Sequence, residues 1–203
     1  EQLWAAGYRV VAGVDEAGMG PLAGPVVAAA VVFSPGTSIA GIADSKLLSP
    51  AQREALAREI RDRALGIGIG LVEAEEIDRI NIYQAGRKAM QLAIRSLPAP
   101  PDYLLIDGRS PLPLPFPQQA LVRGEQESFS IAAASIVAKV HRDQIMLAFH
   151  KRYPQYGFAR HKGYGTPEHL AALRTHGPCP IHRRSYRQVR ELAEGGEWIR
   201  TSG

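Results

Sequence analysis

At 203 residues, 45% of them hydrophobic, the chain carries enough apolar material for one well-buried domain with a small C-terminal extension. Its single cysteine, Cys179, lies between Pro178 and Pro180, which excludes an intramolecular disulfide, suits a reducing compartment and reads as structural rather than nucleophilic. There is no apolar run of ~20 residues and no basic-apolar leader, so a cytoplasmic protein without membrane association is expected. The net charge of +4 is mild, but Lys139 to Arg190 holds 11 basic and 2 acidic residues and all six histidines, leaving 13 basic and 18 acidic residues elsewhere. A net of +9 against −5 suits a chain in which one part grips a polyanion and another holds cations among carboxylates.

The stretch from Tyr8 to Phe33 organises the rest. An apolar strand (Val10, Val11, Ala12, Val14) delivers Asp15 and Glu16 to a turn of Gly18, Gly20, Pro21, Gly24 and Pro25, and a second strand follows from Val26 to Phe33. This predicts an antiparallel hairpin with carboxylates at its mouth. Successive strand side chains point to opposite faces, so Asp15 and Glu16 serve one site only if the backbone bends there or Glu16 acts through its carbonyl. Gly18 to Ala23 fits the loose dinucleotide pattern G-x-G-x-x-A, but it opens a β-rich run behind two prolines rather than a helix, and that reading is excluded.

Beyond a loop containing Asp44-Ser45-Lys46, Ser49-Pro50-Ala51-Gln52 reads as a capping box opening a helix to about Asp62. Leu65 to Val72 is a third strand whose glycines leave room for a neighbour. Glu73 to Ser96 is mostly helical, and the acids Glu73, Glu75, Glu76 and Asp78 complement a helix start. Tyr103 to Gly108 is a buried central strand ending at Asp107, and Gln119 to Arg123 is a last strand before Gly124-Glu125. Ser128 or Ser130 caps the longest helix, Ile131 to about Arg152, small-sided in its first half for close packing. Gly157 to Gly165 reads as a basic loop with Arg160, His161, Lys162 and Tyr164, followed by a helix from Thr166-Pro167 to about Thr175 and a final one over Arg183 to Leu192. One domain is therefore expected over residues 1–203: a sheet core over about 8–152, a basic helical part over about 153–194 and a frayed tail over 195–203.

Acid stands next to glycine at three strand ends: Asp15-Glu16 before Gly18, Asp107 before Gly108, and Glu125 after Gly124. Four converging carboxylates repel one another, and two Mg²⁺ or Mn²⁺ ions would remove the conflict while activating a water for phosphodiester cleavage. Zinc is disfavoured, because the histidines lack H-x₃-H or H-E-x-x-H spacing, and no P-loop is present.

The run Asp15 to Val26 resembles the signature of the type 2 ribonucleases H (ribonuclease HII), Asp-Glu-Ala-Gly-Arg-Gly-Pro-Leu-Ala-Gly-Pro-Val, at every position but Met19, where the family carries Arg. Further similarities lie at Arg123-Gly124-Glu125, at Ser130 to Asp143, at Lys162-Gly163-Tyr164-Gly165-Thr166 and at Asp44-Ser45-Lys46. The resemblance implies an α/β ribonuclease-H-like fold: a central mixed β-sheet flanked by helices, with a C-terminal helical extension. It implies that Asp15, Glu16 and Asp107 bind metal, with Glu125 where the family has an Asp. Gly18, Met19 and Gly20 would read the ribose 2′-hydroxyl through their backbone, Tyr164 would pack on the sugar at the RNA-to-DNA junction, and Lys46 would contact phosphate. Arg160 and Lys162 beside Tyr164 favour nucleic acid as well, and Asp143 reads as a helix-surface ion-pair partner.

The activity so implied is Mg²⁺- or Mn²⁺-dependent hydrolysis on the 5′ side of a ribonucleotide in RNA/DNA hybrids or in ribonucleotide-containing duplex DNA. It would leave 3′-hydroxyl and 5′-phosphate ends, act by a monomer and serve ribonucleotide excision in DNA repair and replication. Two rivals share these features: another two-metal nuclease of the same fold, resolvase-like or integrase-like, and a basic hybrid-binding module whose acid site has decayed.

Overall fold

The computed structural model describes residues 2–42 and 48–194. After a short helix α1 (Gln2–Ala5), the hairpin forms as its sequence demands: β1 (Val11–Ala17) pairs antiparallel with β2 (Val26–Val32), placing Asp15 opposite Ala29 and Glu16 opposite Ala28. All seven residues of β2 are buried, so this strand has no solvent face and tolerates no polar residue. Helix α2 (Pro50–Arg63) opens on the full capping box, Ser49 and Gln52 each satisfying the other's backbone N–H. Strand β3 (Gly66–Val72) follows. A Cβ on Gly68 or Gly70 would stand 2.0 Å from the carbonyl oxygen of Ala93 or Ala89, so the glycines of β3 admit the backbone of a helix.

The helical stretch predicted from Glu73 to Ser96 is two helices, α3 (Ala74–Ile80) and α4 (Ile82–Arg95), parted by Asn81 in a positive-φ conformation (68°). With ψ at 162° this backbone lies outside the left-handed helical region and is disfavoured for any residue with a side chain. The Asn81 side chain then accepts from the Gln84 N–H at 3.0 Å to start the second helix. β4 (Tyr103–Asp107) and β5 (Gln118–Leu121) complete a five-stranded sheet in the order β3-β2-β1-β4-β5, with β4 parallel to both β1 and β5. The sheet is thus mixed, as expected.

The long helix α5 (Phe129–Arg152) begins with the Ser128 hydroxyl accepting from the Ile131 N–H at 3.4 Å. Beyond it the predicted basic loop contains one helical turn, α6 (Phe158–His161). α7 (Pro167–His176) is capped by Thr166, and α8 (Arg187–Glu194) starts four residues later than the sequence pattern suggested. Arg183 lies before the helix, with its side chain fully buried.

The chain divides into two compact units. One comprises Glu1–Ala17, Val27–Leu71 and Gly86–His141; its core joins Ala29, Val31 and Phe33 of the hairpin to Ala57 and Ile60 of α2 and to Ala132, Ala133, Ile136 and Val137 of α5. The other comprises Gly18–Val26, Val72–Ala85 and Arg142–Gly203, with a core of Leu22, Ala23, Met146, Phe158, Leu173 and Val189.

Candidate active site

In the first unit, β1 carries Asp15 and Glu16 to the sheet centre beside β4, which ends at Asp107. β1 is pressed against the start of α5: a Cβ on Gly13 would lie 2.2 Å from the carbonyl carbon of Ser130. That close approach brings the Ser135 hydroxyl to Asp15, to which it hydrogen-bonds. Asp15 is buried, and its Oδ1 accepts from the Glu16 N–H at 2.7 Å. Burial, reinforced by Glu16 and then Asp107, pushes its carboxyl well above the usual range, against the opposing pull of Ser135 and the Glu16 N–H. Burial and the nearby Asp107 raise Glu16 to about 7. Both neighbours therefore feel Asp107, although they are adjacent on a strand.

Asp107 accepts the Gly124 N–H at 2.6 Å. This bond ties the end of β4 to the 3₁₀ turn Gly124–Gln126, which carries half-buried Glu125. The sequence placed Glu125 at a strand end. Instead β5 stops at Leu121, and Arg123, in a left-handed conformation, turns the chain into the 3₁₀ segment.

Do these residues suit divalent cations? Glu16 Oε2 is buried with no hydrogen-bond partner, an arrangement that leaves a charged oxygen desolvated unless something binds it. The donors are all carboxylate oxygens, which suit hard ions such as Mg²⁺ or Mn²⁺ better than zinc. Among the described residues, no group of three His, Cys, Asp or Glu side chains is gathered tightly enough to chelate an ion as it stands. The carboxylates influence one another through space, while Asp15 and Asp107 each commit an oxygen to a backbone N–H.

The second unit holds the glycine turn. Gly18 has φ +100° and no room for a side chain: a Cβ would meet Arg142 Nε at 2.3 Å. Two fully buried arginines hold this turn through its carbonyls. Arg183 donates to the carbonyls of Gly18 (2.6 Å), Gly24 (3.0 Å) and Met19 (3.3 Å), and the Tyr186 hydroxyl donates to Met19 as well (2.7 Å). Arg142 donates to the carbonyls of Pro25 (3.0 Å), Ala23 (3.1 Å) and Lys162 (3.1 Å). The sequence reading missed both and counted them as surface charge. A signal existed for Arg142, which falls four residues after Ala138 and four before Met146 on the buried stripe of α5. Arg183, between Ile181 and Tyr186, has no such periodic context.

Tyr164, 45% exposed, lies beside Gly20, where a Cβ would touch its ring at 3.5 Å. Met19 is half-buried and Gly20 exposed. Arg160 is exposed but engaged by Glu168, and the Lys162 ammonium donates to the Ala159 carbonyl. Asp143 is half-buried. Lys46 and the rest of Asp44-Ser45-Lys46 lie outside the described residues.

Comparison with known proteins is consistent across the chain. The Ribonuclease HII family matches residues 12–189. A ribonuclease HII of Geobacillus kaustophilus is 55% identical over 198 residues, covering 98% of this chain and 76% of the relative. One of Geobacter sulfurreducens is 56% identical over 185 residues, covering 91% and 85%. Among solved structures, the ribonuclease H2 of Pyrococcus horikoshii superposes with a TM-score of 0.78 at 28% identity, covering 91% of this chain and 97% of that one. The ribonuclease HII solved in a PCNA complex from Archaeoglobus fulgidus gives 0.71 at 26% identity, with 90% and 96% covered. A ribonuclease HIII solved in complex with Mn²⁺ shares the fold, with a TM-score of 0.70 at 17% identity and 93% and 70% covered. Among the described residues no helix is long and apolar enough to cross a membrane.

Proposed function

Because the chain belongs to the ribonuclease HII family, whose members are divalent-metal-dependent endoribonucleases acting on RNA/DNA hybrids and on ribonucleotides in DNA, we propose that Asp15, Glu16, Asp107 and Glu125 are its metal ligands. The observation that carries this assignment is the unpartnered, buried Oε2 of Glu16, in a group where Glu16 and Asp107 raise the proton affinity of Asp15 and Asp107 raises that of Glu16. When bound, two Mg²⁺ or Mn²⁺ ions supply an activated water and neutralise charge at the leaving oxygen. Asp15 and Asp107 each have one carboxylate oxygen fixed by a backbone N–H, which orients the carboxylate, and Ser135 keeps Asp15 from swinging away.

Ribose recognition falls to the Gly18–Gly20 turn. Met19's carbonyl already accepts two hydrogen bonds, from Arg183 and Tyr186, while Gly18's takes one from Arg183 and keeps a lone pair. The 2′-hydroxyl, which distinguishes RNA from DNA, is then met by the Gly18 carbonyl and the turn's N–H groups. Tyr164 packs against the sugar. Cleavage falls on the 5′ side of the ribonucleotide and leaves 3′-hydroxyl and 5′-phosphate ends. One chain supplies every residue named, consistent with activity as a monomer, and the lone buried Cys179 suits the cytoplasm.

The test is a labelled DNA duplex with one embedded ribonucleotide. It is nicked on the 5′ side with Mg²⁺ or Mn²⁺, left intact with EDTA, and left intact by Asp107→Asn. Binding without cutting in any divalent metal would indicate a decayed module, and cutting of all-DNA junctions a resolvase-like enzyme.

A further inference from the structure

Three histidines of the second unit, His161, His169 and His182, are 8%, 0% and 2% exposed, and the chemistry above uses none of them. They are enclosed by ring contacts: His182 meets Tyr156 edge-on at 4.9 Å, His169 meets Phe158 edge-on at 5.4 Å, and His161 stacks on His169 at 4.5 Å. His169 and His182 face each other through their Nε2 atoms at 3.0 Å. At one end of the pair His169 Nδ1 lies 2.9 Å from the Tyr164 carbonyl oxygen. At the other end the Cys179 N–H points at His182 Nδ1 over 3.0 Å.

The protons follow from these ends. A carbonyl only accepts, so His169 carries its proton on Nδ1 and presents a lone pair at Nε2. A backbone N–H only donates, so His182 presents a lone pair at Nδ1 and carries its proton on Nε2. The two ends agree on a single proton between the two Nε2 atoms. The Cys179 carbonyl, 3.3 Å from His182 Nδ1, would favour the opposite tautomer, but that choice would aim two N–H groups at each other and leave His169 Nδ1 facing an oxygen without a hydrogen. His161 is fixed in the same way, donating from Nε2 to the Tyr156 carbonyl (2.7 Å) and accepting the Gly163 N–H at Nδ1 (3.2 Å). A charged imidazole at His169 or His182 would break the pattern, which agrees with burial holding both below their usual range, at about 4 and about 3.

The chain ends on the peptide that most needs an anchor. Lys162 and Gly163, just before Tyr164, have φ of +50° and +87°, a conformation disfavoured for lysine. Tyr164 is 45% exposed. Its carbonyl accepts twice, from His169 and from the Thr166 N–H at 2.8 Å. We propose that His182 and His169 form a neutral, one-way hydrogen-bond chain that locks the Tyr164 peptide and so aims its ring at the sugar, making the two histidines positioning residues for ribose recognition. The proposal rests on the reading that Tyr164 contacts the sugar.

Two measurements test it. In the wild-type protein at about pH 7, ¹⁵N spectra of the imidazoles are expected to show neutral Nδ1–H at His169, neutral Nε2–H at His182 and a coupling across the Nε2–H···Nε2 bond. A charged ring or the opposite tautomer at either residue overturns the chain without any variant having to fold. The second is a double-mutant cycle on a duplex with a single ribonucleotide, using Tyr164→Ala, His169→Leu and the double variant. His169→Leu should lower kcat/KM by about 10- to 100-fold, the scale of a misplaced positioning group, and by no more than about twofold when Tyr164 is already Ala. His169→Asn, whose amide N–H can occupy the Nδ1 position, should recover part of the loss. A full His169 effect in the Tyr164→Ala background overturns the proposal. If Tyr164→Ala alone leaves cleavage unchanged, it is the sugar-contact reading that fails.

Discussion

Glu16 occupies a position where its charge is a liability to the free protein. Its rise from the ordinary 4.5 to about 7 corresponds to about 3 kcal/mol of penalty on the ionised form, which residual solvent contact reduces to about 1–2. Glu16→Gln removes that charge with little change of shape. The variant should be more stable than the parent by about 1–2 kcal/mol in EDTA at neutral pH, read by urea denaturation, while cleavage falls at least about 100-fold. A variant equally stable in EDTA would mean that the carboxylate is not under strain. Glu125 differs in kind, since the longer side chain sits on a 3₁₀ turn rather than on the sheet. Glu125→Asp should stay active and gain in Mg²⁺ relative to Mn²⁺, the ion with looser geometric demands in this reading. Glu125→Gln should be impaired less than Asp107→Asn. Rates for all four variants in each metal, with folding checked by circular dichroism, decide: if Glu125→Gln is as inactive as Asp107→Asn, Glu125 matters to the metal site as much as Asp107 and the expected ranking is wrong.

At the scale of elements, the site depends on how closely β1 lies against α5. Gly13 faces Ser130 backbone at a distance no Cβ can share, and the neighbouring turns of α5 present Ala132, Ala133 and Ala134, all buried. Gly13→Ala should destabilise by about 2–3 kcal/mol, because backbone rather than a flexible side chain must move. It should also weaken cleavage beyond what the stability loss explains, since Ser135 reaches Asp15 across this contact. An unchanged denaturation midpoint would show that the strand and helix can part freely. Most of these elements were legible in the sequence: the hairpin from its apolar runs and glycine-proline turn, α2 from its capping box, the head of α5 from its run of small residues. What was not legible depended on contacts distant in sequence. Arg183's bonds to the carbonyls of Gly18, Met19 and Gly24 are of this kind, while the break at Asn81 is a single positive-φ residue, and neither leaves a periodic trace.

For the molecule as a whole, charge was the least legible property. The basic excess over Lys139 to Arg190 read as a polyanion-binding surface, yet Arg142 and Arg183 are fully buried on backbone carbonyls and Arg160 is held by Glu168. Summed charge records neither burial nor pairing. The four proposed acids drew notice in the sequence because each stands beside or near a glycine at an expected strand end. The two buried groups of ionisable residues also set opposite pH dependences. His169 and His182 have depressed values, so the unfolded chain takes up protons first and stability falls as pH drops from about 6.5 toward about 4. Asp15 and Glu16 have raised values, so the folded chain must give up protons against repulsion; for Glu16 stability falls as pH rises from 4.5 through about 7. Divalent cation should relieve only the second effect. The gain in melting temperature on adding Mg²⁺ should therefore be larger at about pH 8 than at about pH 5.5, with the carboxylates ionised and competing protons gone. Asp15→Asn combined with Glu16→Gln should abolish most of the gain at the higher pH and leave the acid-side loss in place. A Mg²⁺ gain independent of pH, or one that survives in the double variant, would place the ion away from these carboxylates.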